Sequence, residues 1–206
     1  MVNTVGHSLA SGCGCVKRAE DPSTCSPKIE YTLWQSTFSR GKNVAPATLV
    51  FFVTRDGHSR ELASRIGERL KAPVHEIKDL VKRKGFIGYM RTGAQASMKM
   101  ATPIAETGVE LEGVKLVVLV QPVWAASLCP PLRSWLIANR DHLRGARLAL
   151  LVSCQISPPA RIQAKYDSEF GNAFGPLPAL AVVHQNLSEP EKSRIIDDFA
   201  SALGDA

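Results

Sequence analysis

The chain has 206 residues, 45% hydrophobic and 21% charged, an ordinary globular composition, and nowhere does it approach the ~18 consecutive apolar residues that a membrane-crossing helix needs. Its five cysteines are an odd number scattered along the sequence, which points to reduced thiols in the cytoplasm rather than a disulfide framework. The start, Met1 to Leu9, is broken by Asn3, Gly6, His7 and Ser8 and lacks the apolar core of a secretion signal. The net charge of +6 is a modest excess and partly local. Lys82, Arg83, Lys84, Arg91 and Lys99 occupy a stretch with no acidic residue between them, which reads either as a solvated basic surface or as an attractor of an anionic partner.

Residues 1–45 show no sustained period of 2 or 3.6 and are rich in Ser, Thr, Gly, Cys and Pro. Such a segment buries too little apolar surface to offset its ordering entropy, so a disordered extension is expected, followed by a single domain over 46–206. Cys13-Gly14-Cys15 has no second pair at zinc-site spacing. From Pro46 the pattern changes. Thr48 to Val53 is apolar without alternation, as in a parallel strand covered on both faces. Ser59 to Lys71 follows with Leu62, Ala63, Ile66 and Leu70 at helical spacing. Pro73 to Ile77 predicts a second, shorter strand, and Lys115 to Val120 a third. Pro131 to Ala138 predicts a helix with Pro at its start, where the missing N–H costs little. Arg147 to Val152 predicts the fourth strand, 160–170 a helix, and Leu180 to Val183 the fifth strand. The last helix, Glu189 to Leu203, has Ser188 as its expected N-cap.

Strands alternating with helices imply right-handed crossovers and an α/β three-layer sandwich. Five strands with an anion-binding loop after the first fit a parallel sheet of order 2-1-3-4-5, whose ligand crevice lies at the carboxyl ends of strands one and three. The loops after Val53, Val120 and Val152 should then share one site.

Loop one, Thr54-Arg55-Asp56-Gly57-His58-Ser59, runs into a helix N-terminus, where backbone N–H groups and the helix dipole favour an anion. Gly57 allows close backbone approach, Thr54 and Ser59 offer hydroxyl donors, and His58 serves as a backbone N–H position rather than an acid. The carboxylate of Asp56 opposes a phosphate unless it turns to cap the helix or is neutralised by Arg55 or Arg60. Loop two, Gln121 to Ser127, sets Trp124 before small residues, suiting a flat ring with Pro122, Val123 and Ala125 around it. Loop three contains Ser153, Cys154 and Gln155; with nothing nearby to lower its pKa, Cys154 reads as a small buried side chain.

Hydroxyl, glycine and hydroxyl at Thr54, Gly57 and Ser59 resemble the phosphate loop of flavodoxins, Ser/Thr-x-Thr-Gly-x-Thr/Ser, with Asp56 replacing the third-position hydroxyl. Residues 54–64 also resemble the corresponding stretch of the flavodoxin-type, quinone-dependent protoporphyrinogen oxidase. That likeness implies that an Asp here is compatible with FMN, and it does not extend beyond the helix. Gln121-Pro122-Val123-Trp124-Ala125-Ala126 resembles the Thr/Ser-Pro-Val-Trp-Ala-Gly of many flavodoxin-like proteins, and Cys129-Pro130-Pro131 falls where they begin the next helix. The resemblance implies FMN as cofactor, its phosphate on loop one and its ring between loops two and three.

The expected function is that of an FMN-binding redox protein: an electron carrier working with a partner protein, or a small oxidoreductase using NAD(P)H or a quinone. A homodimer is compatible with either. The alternative is a flavodoxin-fold binding module that has lost FMN, which Asp56 keeps open. No Gly-x-Gly-x-x-Gly follows a strand, and two aromatics near the basic cluster do not make a nucleic-acid platform. The segment 84–98, with Phe86, Tyr89 and Met90 among three glycines, reads as a lid, a contact surface or sheet packing.

Overall fold

The computed structural model describes residues 47–81, 93–125 and 127–204. The expected N-terminal extension, the basic residues Lys82, Arg83, Lys84 and Arg91, the lid aromatics Phe86 and Tyr89, Met90 and Ala126 lie outside them.

The apolar runs form five strands, β1 (Thr48–Phe52), β2 (Val74–Glu76), β3 (Leu116–Pro122), β4 (Arg147–Cys154) and β5 (Leu180–His184). All neighbours pair in parallel in the order β2-β1-β3-β4-β5, as the sequence predicts. Because strand side chains alternate, each run supplies both faces. Leu49, Phe51, Val117 and Leu119 enter one apolar cluster, and Val50, Phe52, Val118 and Val120 enter the other. Helices α1 (His58–Leu70) and α4 (Glu189–Gly204) cover the second cluster with Leu62, Ile66, Ile196 and Phe199. Helices α2 (Pro130–Ala138) and α3 (Pro159–Tyr166) cover the first with Leu132, Trp135, Ile162 and Tyr166. Trp135 packs its ring 4.3 Å from that of Phe51, fixing α2 on β1. On the other face α1 sits close to β2. A Cβ added at Gly67 would lie 2.4 Å from Val74 Cγ2 and 3.1 Å from the Ala72 carbonyl oxygen, so only glycine lets the helix approach this far.

Two expectations are corrected. Strands β3 and β4 run two residues beyond Val120 and Val152, because Gln121 pairs with Val152 and Pro122 with Ser153. Pro122, Ser153 and Cys154 therefore belong to strand ends rather than loops. The helix expected over 160–170 ends at Tyr166 and continues as a π-turn, Asp167–Gly171, and a short helix, Asn172–Phe174. This wider turn sends Glu169 to the buried guanidinium of Arg133, an ion pair a buried cation requires. At α4, Ser188 stands at the N-cap position, as the sequence predicts: its carbonyl accepts from Lys192 N–H at 3.0 Å, and its hydroxyl and N–H both donate to Glu191 Oε2, at 2.6 and 2.9 Å, the carboxylate half of a capping box. These two bonds hold the Glu191 carboxyl below its ordinary pKa.

Tyr166 is buried, its hydroxyl donates to the Gly175 carbonyl at 3.3 Å, and burial first, then the Asp167 charge, pushes its pKa up to about 12. An acid whose folded pKa is raised keeps its proton in the native state while the unfolded chain loses it. Stability is thus full below pH ~10 and declines as pH rises from there towards 12. The expected result is a downward slope of unfolding free energy in that window that is shallower in Tyr166→Phe, measured by urea unfolding at each pH.

Candidate functional site

The carboxyl ends of the strands come together at one margin of the sheet. Past the strand ends the ladder continues, Val53 N–H donating to the Val120 carbonyl at 2.9 Å, Val123 N–H to Ser153 at 3.0 Å and Gln185 N–H to Cys154 at 3.0 Å. The starts of loops one, two and three are thereby tied to adjacent backbone, as the topology requires.

In loop one Gly57 adopts a left-handed conformation, φ 94°, that non-glycine residues reach only with strain. Its N–H donates to Thr54 Oγ1 at 2.9 Å, closing a turn that leaves the Thr54 hydroxyl proton free to donate outward. Glu61 N–H bonds back to the Gly57 carbonyl at 3.1 Å. No side chain caps the start of α1, so its first-turn N–H groups carry the positive end of the dipole uncapped. Ser59 is 1% exposed and its Oγ has no partner among the described residues. A buried hydroxyl without a hydrogen bond is costly, by about 1–3 kcal/mol, and is rare without a reason. Asp56 does not cap the helix. Of the two neutralising cations expected, Arg55 takes the role, its Nε lying 3.3 and 3.2 Å from the two carboxylate oxygens. Arg60 instead pairs with Glu76 on β2 at 3.1 Å. His58 opens α1 and is exposed.

Loop two is a tight turn. Ser127 N–H donates to the Trp124 carbonyl at 3.0 Å, and Ala125 takes a left-handed φ of 52° that costs about 1–2 kcal/mol in a non-glycine residue. Trp124 and Val123 are half-buried and pack against the first apolar cluster, so part of the indole expected to face a ring serves the core. Two buried polar residues that sequence reasoning did not assign to the site hold this turn. Gln121, 0% exposed at the end of β3, accepts from Cys129 N–H at 2.8 Å through Oε1, while its Nε2 has no partner among the described residues. Arg133, on α2, reaches Ser127 Oγ at 3.4 Å and the Met100 carbonyl at 3.1 Å, and pairs with Glu169. A lone Gln in the run Leu-Val-Val-Leu-Val-Gln-Pro was the available signal for the first; nothing local marked the second.

Loop three brings in His184, also missed. Its Nδ1 is 3.0 Å from the Gln155 carbonyl and 3.6 Å from Cys154 Sγ, and the thiol donates to the Ser157 carbonyl at 3.6 Å. A carbonyl at hydrogen-bond distance makes Nδ1 the protonated nitrogen. Burial pushes the Cys154 thiol up, the opposite of nucleophile activation, so Cys154 is the small buried side chain expected. A cavity of about 20 Å³ lined by His58, Ser153, His184, Gln185 and Lys192 joins the start of α1 to the ends of β4 and β5. The start of α1 and the carboxyl ends of β4 and β5 therefore border one small space.

No protein-family model and no curated protein sequence matches the chain. Solved structures do. A flavoprotein of Bacteroides uniformis superposes with a TM-score of 0.61 at 13% identity, covering 74% of this chain and 99% of that one. A flavoprotein of Bacteroides eggerthii gives 0.59 at 14% identity, covering 74% and 97%. A flavoprotein of Lactobacillus acidophilus, solved in complex with FMN, gives 0.57 at 15% identity, covering 76% and 99%. At these identities the likeness establishes the fold, which is flavodoxin-like.

Proposed function

We propose that the chain is an FMN-binding redox protein. The observation that carries this reading is the buried, unpartnered Ser59 hydroxyl at the uncapped start of α1, beside an open left-handed Gly57. Such a combination suits a bound phosphate, which would accept from Ser59, from Thr54 and from the first-turn N–H groups. Arg55 offsets Asp56, the residue least suited to a phosphate neighbour. Pro122, Val123, Trp124 and Ala125 would border the ring on one side and Ser153, Cys154 and Gln155 on the other. FMN would supply the electron-accepting chemistry, while the protein supplies binding, orientation and electrostatics. The FMN complex of the Lactobacillus acidophilus flavoprotein supports this choice of cofactor. The partner is a second redox protein or a small donor or acceptor. Cys129 and Cys154, neither in a disulfide, suit a reducing cytoplasm.

Ser59→Ala tests the reading by a sign. Removing an unpartnered buried hydroxyl leaves the ligand-free protein as stable or slightly more stable, whereas removing a phosphate contact weakens FMN by about tenfold. Flavin fluorescence quenching gives the affinity and thermal unfolding the stability. No FMN binding by the unaltered chain, even after incubation with excess FMN, sinks the proposal and favours the second reading, a binding module without flavin, which the Asp56 carboxylate at the loop supports. Bleaching of the bound flavin by NADH or NADPH distinguishes an oxidoreductase from a carrier.

A further inference from the structure

The flank of the molecule between α2 and the π-turn holds a cavity of about 380 Å³ that the flavin reading does not use. Its size lies at the lower end of small-ligand pockets, roughly 300–1,000 Å³. Six side chains define its chemistry: Lys99, Arg133, Arg140, Glu169, Phe170 and Phe174. The two phenylalanines, with ring centroids 5.9 Å apart and planes at 36°, give it an aromatic wall, and Ile137 alongside is 57% exposed. Arg133 and Glu169 neutralise one another. Lys99 and Arg140 are exposed and have no ion-pair partner among the described residues. Three cations against one carboxylate leave the lining two positive charges in excess.

Two features of the backbone set this wall in place. The π-turn Asp167–Gly171 carries both Glu169 and Phe170 to the cavity, and such turns are frequent at functional sites. Lys99 ends the helical turn over 93–97, where Met100 N–H bonds to the Gln95 carbonyl and Lys99 N–H to that of Ala96. That cap puts its last residue in the left-handed region, φ 54° here, where glycine is the inexpensive choice. A lysine accepts the strain and projects a cation at the cavity rim.

We propose that this cavity binds a small organic monoanion with a flat apolar body, an aromatic carboxylate being the simplest case. The body lies against Phe170, Phe174 and Ile137, and the carboxylate meets Lys99 and Arg140. The inference does not depend on flavin binding.

The test is calorimetric titration of the full chain with 2-naphthoate, with 2-naphthamide and inorganic phosphate as comparison probes. Saturable one-to-one binding of naphthoate is expected, weakened about tenfold or more in Lys99→Gln/Arg140→Gln, since each exposed cation contributes a charge-assisted contact. Both changes are at exposed side chains, and Arg144→Gln, which removes a cation outside the cavity lining, leaves the affinity unchanged. Naphthamide and phosphate bind at least about tenfold more weakly, because each lacks one half of the recognition. The proposal is overturned if naphthoate does not bind, or if the double substitution leaves its affinity unaltered. It is equally overturned if Arg144→Gln weakens binding as much, or if either comparison probe binds as tightly.

Discussion

Replacing Arg133 by Leu is expected to destabilise the protein by about 3–5 kcal/mol, while replacing Arg133 and Glu169 together by Leu recovers most of that loss. The guanidinium is 1% exposed and the Glu169 side chain 10% exposed, so the charges are held almost out of water. They repay that desolvation because the bonds are many: Arg133 donates to both Glu169 oxygens, the Met100 carbonyl and Ser127 Oγ. Removing only the cation strands a carboxylate in a cavity wall and orphans the other acceptors. Removing both charges leaves the orphaned Met100 carbonyl and Ser127 but no buried ion. Urea unfolding of the two single variants and the double variant gives the coupling energy directly. A double variant no more stable than Arg133→Leu contradicts this account. The same cycle should disturb loop two, since Ser127 closes the turn that begins at Trp124.

Gly57→Val should cost stability and flavin affinity together, for a backbone reason. At φ 94° an L side chain is strained by roughly 1–2 kcal/mol and a β-branched one by more. A Cβ there meets nothing within 4 Å, so the penalty is conformational rather than steric contact with neighbours. The chain relieves it by moving towards negative φ, which swings the Gly57 N–H away from Thr54 Oγ1 and re-aims the first-turn N–H groups. For a domain of this size, a melting temperature lower by about 2–8 °C is expected. FMN affinity should fall by about 10- to 100-fold, the equivalent of one or two lost phosphate contacts. Fluorescence titration checks the second figure; full affinity in a destabilised Gly57→Val variant would separate the loop from the cofactor.

The sheet was legible because covered parallel strands have an unmistakable signature. Val118 and Leu119 face opposite helical layers and both must be apolar, so the run cannot alternate. Loop one was legible because its glycine and hydroxyls are local and contiguous. The π-turn was not, since the partner it brings Glu169 to, the buried Arg133, lies 36 positions away in sequence. The ends of β3 and β4 were misjudged for a similar reason: Pro122 and Ser153 look like loop residues singly and become strand only by pairing with each other. The role of Trp124 was half legible. Its place after β3 follows from sequence, but its packing against the core depends on side chains from other elements. His184 entered the site through β5, whose carboxyl end carries no motif.

Gly67 has a consequence for the loop at the other end of the same helix. With no side chain between them, α1 packs directly against Val74 and the Ala72 carbonyl at Gly67. Loop one therefore leads into a helix held close to the sheet. On the FMN proposal, a phosphate arriving there would meet donors carried by a tightly packed helix and would surrender little chain entropy on binding. A larger residue at position 67 would push α1 off β2 and, on the FMN proposal, weaken phosphate binding at the other end of the helix.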